Sequence, residues 1–234
     1  MPTSSRLLLA FFVFAVLGLA SAAPTYAGAV QLFNPAQLNP GDTTAIYPQP
    51  AITNVAAPYV LTAGGNTLTF TRTGSSTFTR VDQLPGLGWN GNFAPSTHLL
   101  WTGTTATSFI DITFATGVGE IGLKAQTDFF GAETFTFEAF NGATSLGLFT
   151  VSGTSNTNGD DSAPFLGVRA TGGDVITRLR IINTVALTNT GDFAIGPVTF
   201  GSGQTAVPEP ATMLLLGTGL AGIAAKVRRR RQAD

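Results

Sequence analysis

Between Asn66 and Phe200 apolar and polar residues alternate with a period of two in short runs, each closed by Gly, Asn, Asp, Ser or Pro. That period sends successive side chains to opposite faces of an extended strand. Ile110, Ile112 and Phe114 fall on one face with Asp111 and Thr113 on the other, and Ile121, Leu123 and Ala125 repeat the pattern with Lys124 outward. Thr67 to Thr71 and Thr77 to Val81 flank Gly74-Ser75 and read as a hairpin. Thr134 to Phe140 pairs with Leu146 to Val151 across Asn141 to Ser145, where the Asn-Gly step supplies the turn. Phe165 to Ala170, Val175 to Ile182 and Phe193 to Phe200 follow. In the second of these Val175, Thr177, Leu179 and Ile181 point inward and leave Arg178 and Arg180 on the opposite face. The last strand is expected to bulge, or to lie at an edge, near Gly196-Pro197.

Upstream, Pro35, Pro40, Pro48, Pro50 and Pro58 argue against helices and central strands. Residues 28–65 therefore read as an extended leader with one edge strand near Thr43 to Tyr47. Nine or ten short strands and no long amphipathic helix predict an all-β fold over residues 66–206, an antiparallel β-sandwich of jelly-roll or lectin-like type. Some 180 residues remain between the two ends of the chain, which suits one such domain.

The two ends follow a different pattern. Arg6 precedes an apolar stretch from Leu7 to Ala20, and Ala20, Ser21, Ala22 and Ala23 supply small residues after it, the layout of a secretory signal peptide. Cleavage is expected after Ala22, with Ala27 as the alternative end. At the other end Val207-Pro208-Glu209-Pro210 leads into an apolar run and then into Lys226, Arg228, Arg229, Arg230 and Arg231, five of the chain's twelve basic residues. As a helix, residues 211–227 would extend roughly 25 Å, enough for a thin bilayer core, and the basic cluster would stop transfer and stay in the cytoplasm. The prolines on either side of Glu209 keep that stretch extended and open to an enzyme outside the membrane.

In order and spacing, Pro208, Glu209, Pro210, the apolar run and Arg228 to Arg231 resemble a PEP-CTERM protein-sorting signal. The resemblance covers residues 207–231. It implies export by the secretion machinery, an inner-membrane intermediate, and processing by an exosortase, a membrane-embedded cysteine transpeptidase-like enzyme of Gram-negative bacteria that make exopolysaccharide. A rhomboid-type protease is the related alternative. Gly91 to Pro95, Asp128 to Ala132, Phe165 to Val168 and Asp192 to Ile195 are also similar to stretches of β-rich ectodomains that carry such tails, a likeness that implies a sandwich and no activity.

Charge and composition narrow the function classes. From Gly28 to Ala206 six basic residues face eleven acidic ones, a net charge near −5, with no basic footprint for nucleic acid. The chain has no cysteine, so thiolate chemistry, disulfides and cysteine-ligated metals are excluded. The one histidine, His98, lacks the partners of a triad or of a zinc site in its sequence neighbourhood and is expected at a turn or strand edge. Glu133 and Glu138, five apart on one strand, face opposite sides and are expected to be solvated; a glycosidase pair would need a carboxylate from another strand. Asn158, Asp160 and Asp161 offer the oxygen ligands Ca²⁺ prefers, yet without the twelve-residue EF-hand pattern, and Asn-Gly-Asp also serves turns. No other cofactor is expected. Trp89, Trp101 and Phe129 lie in or beside loops and are the candidate glycan contacts, with core packing as the competing role. Together these features predict a non-enzymatic exported protein of the surface or matrix. Its role would be structural or adhesive in the envelope or exopolysaccharide layer. A carbohydrate-binding module, a secreted hydrolase and an uncleaved single-span ectodomain are the alternatives.

Overall fold

The computed structural model describes residues 28–84, 88–103, 109–184 and 191–202, together with Thr218. Along these residues run fifteen strands: β1 (Gly28–Leu32), β2 (Thr43–Ala45), β3 (Thr53–Ala56), β4 (Tyr59–Ala63), β5 (Asn66–Arg72), β6 (Thr77–Asp82), β7 (His98–Trp101), β8 (Ile110–Val118), β9 (Glu120–Thr127), β10 (Gly131–Asn141), β11 (Thr144–Ser155), β12 (Phe165–Thr171), β13 (Ile176–Asn183), β14 (Phe193–Ile195) and β15 (Val198–Gly201). They form two antiparallel sheets. One has six strands in the order β11-β10-β13-β8-β5-β4; the other has nine, β1-β12-β9-β14-β7-β6-β3, with β15 beside β9 and β2 beside β15.

Alternation builds the core between them. The six-stranded sheet sends in Leu68, Phe70, Ile110, Ile112, Phe114, Phe135, Phe137, Leu179 and Ile181, and the nine-stranded sheet answers with Phe78, Leu100, Ile121, Leu123, Phe193, Val198 and Phe200, all at most 4% exposed. Aromatic rings meet across the interior, Phe114 with Phe200 at 5.4 Å and Phe135 with Phe193 at 5.5 Å between centroids. Truncating one such ring to Ala costs about 3–5 kcal/mol, so a chain without disulfides draws its stability from this packing.

Four expectations about the fold need correction. Residues 28–65 are no leader: β1 pairs with β12, β2 with β15, β3 with β6 and β4 with β5. The prolines punctuate those strands and stay out of them. Pro35 opens a 3-10 turn, and Pro48, Pro50 and Pro58 lie in the connections. The segment predicted as an edge strand is β2, whose one partner among the described residues is β15. Nor do Thr67–Thr71 and Thr77–Val81 form a hairpin, since β5 lies in the six-stranded sheet and β6 in the other. Phe70 and Phe78 both enter the core from facing sheets, and alternation alone cannot tell such a crossing from a hairpin.

On β13 a register shift between Ile176 and Arg178 turns Ile176 into the core and leaves Val175 39% exposed, contrary to the inward placement of Val175. The strand total exceeds nine or ten because residues 28–65 add four and the last run splits at Gly196-Pro197. Its halves, β14 and β15, take successive parts of one edge of β9. The β10–β11 hairpin follows the Asn-Gly expectation, with Gly142 at φ 59° in a two-residue turn.

The chain divides into two compact units, residues 1–203 and 204–234. The signal peptide ending at 22 or 27, the motif Val207 to Pro210, the apolar run 211–227 and the basic cluster lie outside the described residues, save Thr218, which is helical and exposed. Among the described residues no helix is long and apolar enough to cross a membrane.

Candidate functional site

Strand β9 organises the chemistry of the sandwich. With Ile121, Leu123 and Ala125 in the core, its period of two sends Glu120, Gly122, Lys124 and Gln126 to the outer face of the nine-stranded sheet. Three segments, 34–42, 88–97 and 156–163, are laid over that face and meet these residues.

Glu120 is fully buried. Its carboxylate accepts from Arg169 Nε at 2.7 Å across the β9–β12 pair and from the Asn39 backbone N–H at 3.1 Å. Asp42 joins this pair, and burial, followed by the hydrogen bond to Glu120 and its charge, pushes the Asp42 carboxyl up to about 6.

Gln126 sits at the other end of the row, also fully buried. Its Oε1 accepts from Trp89 Nε1 at 3.1 Å and from the Asn92 backbone N–H at 2.7 Å, and its Nε2 donates to Asn92 Oδ1 at 2.7 Å and Ser155 Oγ at 2.8 Å. Asn92 in turn accepts from the Asn156 backbone N–H at 2.6 Å and donates to Ser162 at 2.6 Å. One side chain thereby ties the 88–97 segment and the 156–163 loop to the sheet. Gly91 is obligatory here, because a Cβ would come within 2.0 Å of Gln126 Oε1.

Below this network Val81, Trp89, Phe93, Leu99, Ala163 and Ala194 make a second, smaller core, with Trp101 packed against it. Trp89, expected at an open rim, is 3% exposed, and its ring meets Trp101 edge-on at 6.0 Å. Trp101 is half-buried. Both tryptophans therefore serve packing, because the loops that carry or neighbour them fold back over the sheet.

Between the ends of the row, Gly122 and Lys124 floor a cleft of about 250 Å³. Pro35, Leu38, Phe93, Thr97, Phe165, Gly196, Pro197 and Thr199 line it with them. A Cβ on Gly122 would lie 2.6 Å from the Phe165 ring and 2.8 Å from Leu38, so its absence lets both side chains lie across the sheet. Lys124 Nζ pairs with Asp161 Oδ2 at 2.7 Å and donates to the Asp161 carbonyl at 2.5 Å.

The two aspartates considered for Ca²⁺ already hold partners. Asp160 Oδ1 accepts from Ser162 Oγ at 2.5 Å and from its N–H at 3.2 Å, contacts that hold its carboxyl below the usual range. Asn158 Nδ2 reaches Asp160 Oδ2 at 3.4 Å, and Asp161 is held by Lys124. Among the described residues no three His, Cys, Asp or Glu side chains gather as metal ligands.

At the Thr127 end of β9, the turn to β10 holds Phe129 and Phe130 out in solvent, 60% and 50% exposed. Beneath it Glu133 is 1% exposed, against the expectation of an outward carboxylate. Glu138 does face out, as the spacing of five requires. Glu133 shares the inward face of β10 with Phe135 and Phe137 and accepts from the Thr127 backbone N–H at 2.8 Å, which pins the turn; its Oε1 has no hydrogen-bond partner among the described residues. Burial pushes its carboxyl up to about 7 against the pull of Thr127. His98 begins β7, its Nδ1 2.9 Å from the Tyr47 carbonyl oxygen and its Nε2 3.8 Å from Asp82 across the β6–β7 pair.

Gln126, Asn92, the Glu120–Asp42–Arg169 group and the cleft escaped the sequence reading. The one available signal was the run of Glu, Gly, Lys and Gln at alternate positions of a strand whose other face is apolar.

No curated protein matches the sequence. Solved structures give weak overlaps. A carbohydrate-binding module of lichenase 5A from Cellvibrio mixtus, in complex with cellotriose, is 15% identical over 66% of this chain and 98% of that one, at a TM-score of 0.26. The enzymatically active domain of tailspike protein 4 from bacteriophage CBA120 is 13% identical over 58% and 18%, at 0.25. A mutant form of a family 29 carbohydrate-binding module is 10% identical over 78% and 99%, at 0.24. Overlaps at these scores carry no weight for fold or ligand. The tail is a different matter, for residues 206–231 match the PEP-CTERM protein-sorting motif. The chain thus contains a PEP-CTERM sorting domain, which marks it for export to the cell envelope through the membrane and for exosortase-type processing.

Proposed function

We propose that this is a non-enzymatic protein of the cell surface or extracellular matrix, with a structural or adhesive role in the envelope or exopolysaccharide layer. The observation that carries the reading is the sorting motif at residues 206–231, in which Pro208-Glu209-Pro210, an apolar run and Arg228 to Arg231 follow in order. The exported sandwich is consistent with a scaffold. Asp111 is clasped by Arg180 through two hydrogen bonds of 2.8 and 2.7 Å, Glu120 by Arg169, and Gln126 by the 88–97 segment and the end of β11, so these polar groups stabilise the fold instead of facing a reaction.

Mapping both termini by mass spectrometry in membrane, periplasmic and released fractions of the native host tests this. A C-terminus close to Pro210, with Arg228 to Arg231 absent, is the expected result for the surface or released form. Persistence of the arginine cluster in the membrane fraction alone would make the protein an anchored ectodomain and overturn the sorting route. The cleft on the nine-stranded sheet favours a second, compatible reading, a carbohydrate-binding module.

A further inference from the structure

We propose that the cleft between the 35–38 segment and the 93–97 segment binds a single neutral hexopyranose unit, free or at the end of a polysaccharide. This rests on the carbohydrate-binding reading above and assigns that reading a site. Three features of the cleft select the ligand class. Its lining is largely apolar, because the Phe165 ring and Leu38 lie across the Gly122 backbone and Pro35, Phe93 and Pro197 line the cleft with them. A pyranose presents such a surface with the axial C–H bonds of one ring face, and aromatic and proline faces receive it.

Asp161, Thr97 and Thr199 add polar groups to this lining that can meet ring hydroxyls. Asp161 is 58% exposed, so acceptor capacity beyond its bond to Lys124 faces solvent. Thr97 Oγ1 donates to the Ala94 carbonyl at 2.6 Å and Thr199 Oγ1 pairs with Thr44 Oγ1 at 3.0 Å, and both retain lone pairs that accept.

Charge decides between neutral and ionic sugars. Among the described residues the one cation and the one anion lining the cleft are paired at 2.7 Å and cancel, so neither a uronate nor an amino sugar finds an uncompensated counter-charge. Size decides between a ring and a chain, since about 250 Å³ lies below the roughly 300–1,000 Å³ of pockets that enclose drug-sized ligands.

The site also differs from the candidate glycan contacts Trp89 and Phe129. Trp89 is sealed under Gln126, and Phe129 follows the Thr127 end of β9 and does not line the cleft.

The test uses the full chain in a zwitterionic detergent without sugar headgroups. Saturation-transfer NMR is run with methyl glycosides of glucose, galactose and mannose, with glucuronic acid, glucosamine and indole as comparison probes. At least one neutral glycoside is expected to bind saturably in the millimolar range or tighter, through the C–H protons of one ring face, with both charged sugars weaker.

Thr199→Phe fills the cleft and should weaken binding at least tenfold, and Asp161→Asn should weaken it several-fold. Phe129→Ala should leave it unchanged, and melting curves confirm that each variant is folded. If no neutral glycoside binds, if Thr199→Phe leaves binding intact, or if indole alone binds, the proposal is wrong. In each of those cases the terminus mapping still stands or falls by itself, so failure of the site and failure of the sorting route remain distinct.

Discussion

The outer faces of the two sheets solve the same problem in opposite ways. On the six-stranded sheet the outward positions meet water: Thr113 is exposed, Thr134 pairs with Ser152 at 3.0 Å, and Arg178 and Arg180 sit 4.0 Å over the Phe140 and Phe109 rings while gripping Asp111. On the nine-stranded sheet the outward row of β9 is roofed by the 34–42, 88–97 and 156–163 segments, and its polar residues are buried with them. A solvated face tolerates exchange, because water can replace any lost partner. A roofed face demands that each polar group be matched, and it is the face that can hold a cleft.

The largest contrast is expected from Gln126→Ala. It strands Trp89 Nε1 and the Asn92 N–H beneath the roof and should cost about 3–5 kcal/mol, given about 1–3 kcal/mol for each buried group left unpaired. Thr136→Ala, on the solvated face of β10, should stay within about 0.5 kcal/mol. Urea unfolding midpoints of the two variants measure the difference. Equal losses would mean that the roof contributes nothing beyond the sheet beneath it.

Glu133 sharpens the comparison through pH. The folded chain holds its proton up to about pH 7, whereas an unfolded glutamate releases it near 4.5, so the folded state binds the extra proton between those values. Its contribution to stability is therefore complete below about pH 4.5 and is lost as the pH climbs to about 7, a fall on the order of 2–3 kcal/mol by linkage. Asp42, raised from 3.8 to about 6, slopes the same way at lower pH. Glu133→Gln should remove most of the decline between pH 5 and 7.5 in melting experiments. An unchanged slope would show that the carboxyl is solvated.

Asp111→Asn should have a smaller effect, about 1–2 kcal/mol, because both arginines keep their stacking on Phe140 and Phe109 and can turn to water. Raising the salt concentration should change this value little, since the pair is bidentate and Asp111 is only 7% exposed. A loss that disappears at high salt would place the pair among ordinary surface ion pairs.

The same contrast separates what the sequence disclosed from what it concealed. The β8 pattern of Ile110, Ile112 and Phe114, the Asn141-Gly142 turn and the outward arginines of β13 are visible because one side of that sheet is wet and alternation is clean. Where both sides are covered, Gly122, Lys124 and Gln126 read as ordinary outward residues, and nothing local reveals that residues 34–42 return to cover them. Those contacts join positions about 80 apart in sequence, as between Asn39 and Glu120. Proline misled for a related reason: it bars a ladder hydrogen bond only at its own position, and the strands of residues 28–65 lie between the prolines. The sorting tail was legible because its signal is local in order and composition.

The smallest effect is expected where the roof itself carries carboxylates. If Asn158, Asp160 and Asp161 bound Ca²⁺, a concentration one hundred times the dissociation constant would stabilise the fold by about 2.7 kcal/mol. In the structure Asp160 accepts from Ser162 and Asn158, and Asp161 binds Lys124, whose ammonium already supplies the positive charge. Calcium would have to break those contacts before it gained its own. The melting temperature is therefore expected to be the same in millimolar Ca²⁺ and in chelator, while Lys124→Met, which frees Asp161, should create a measurable calcium dependence. A shift in the unaltered protein would show that the loop exchanges its lysine for the metal, and the cleft would then lose the paired charges that make it neutral.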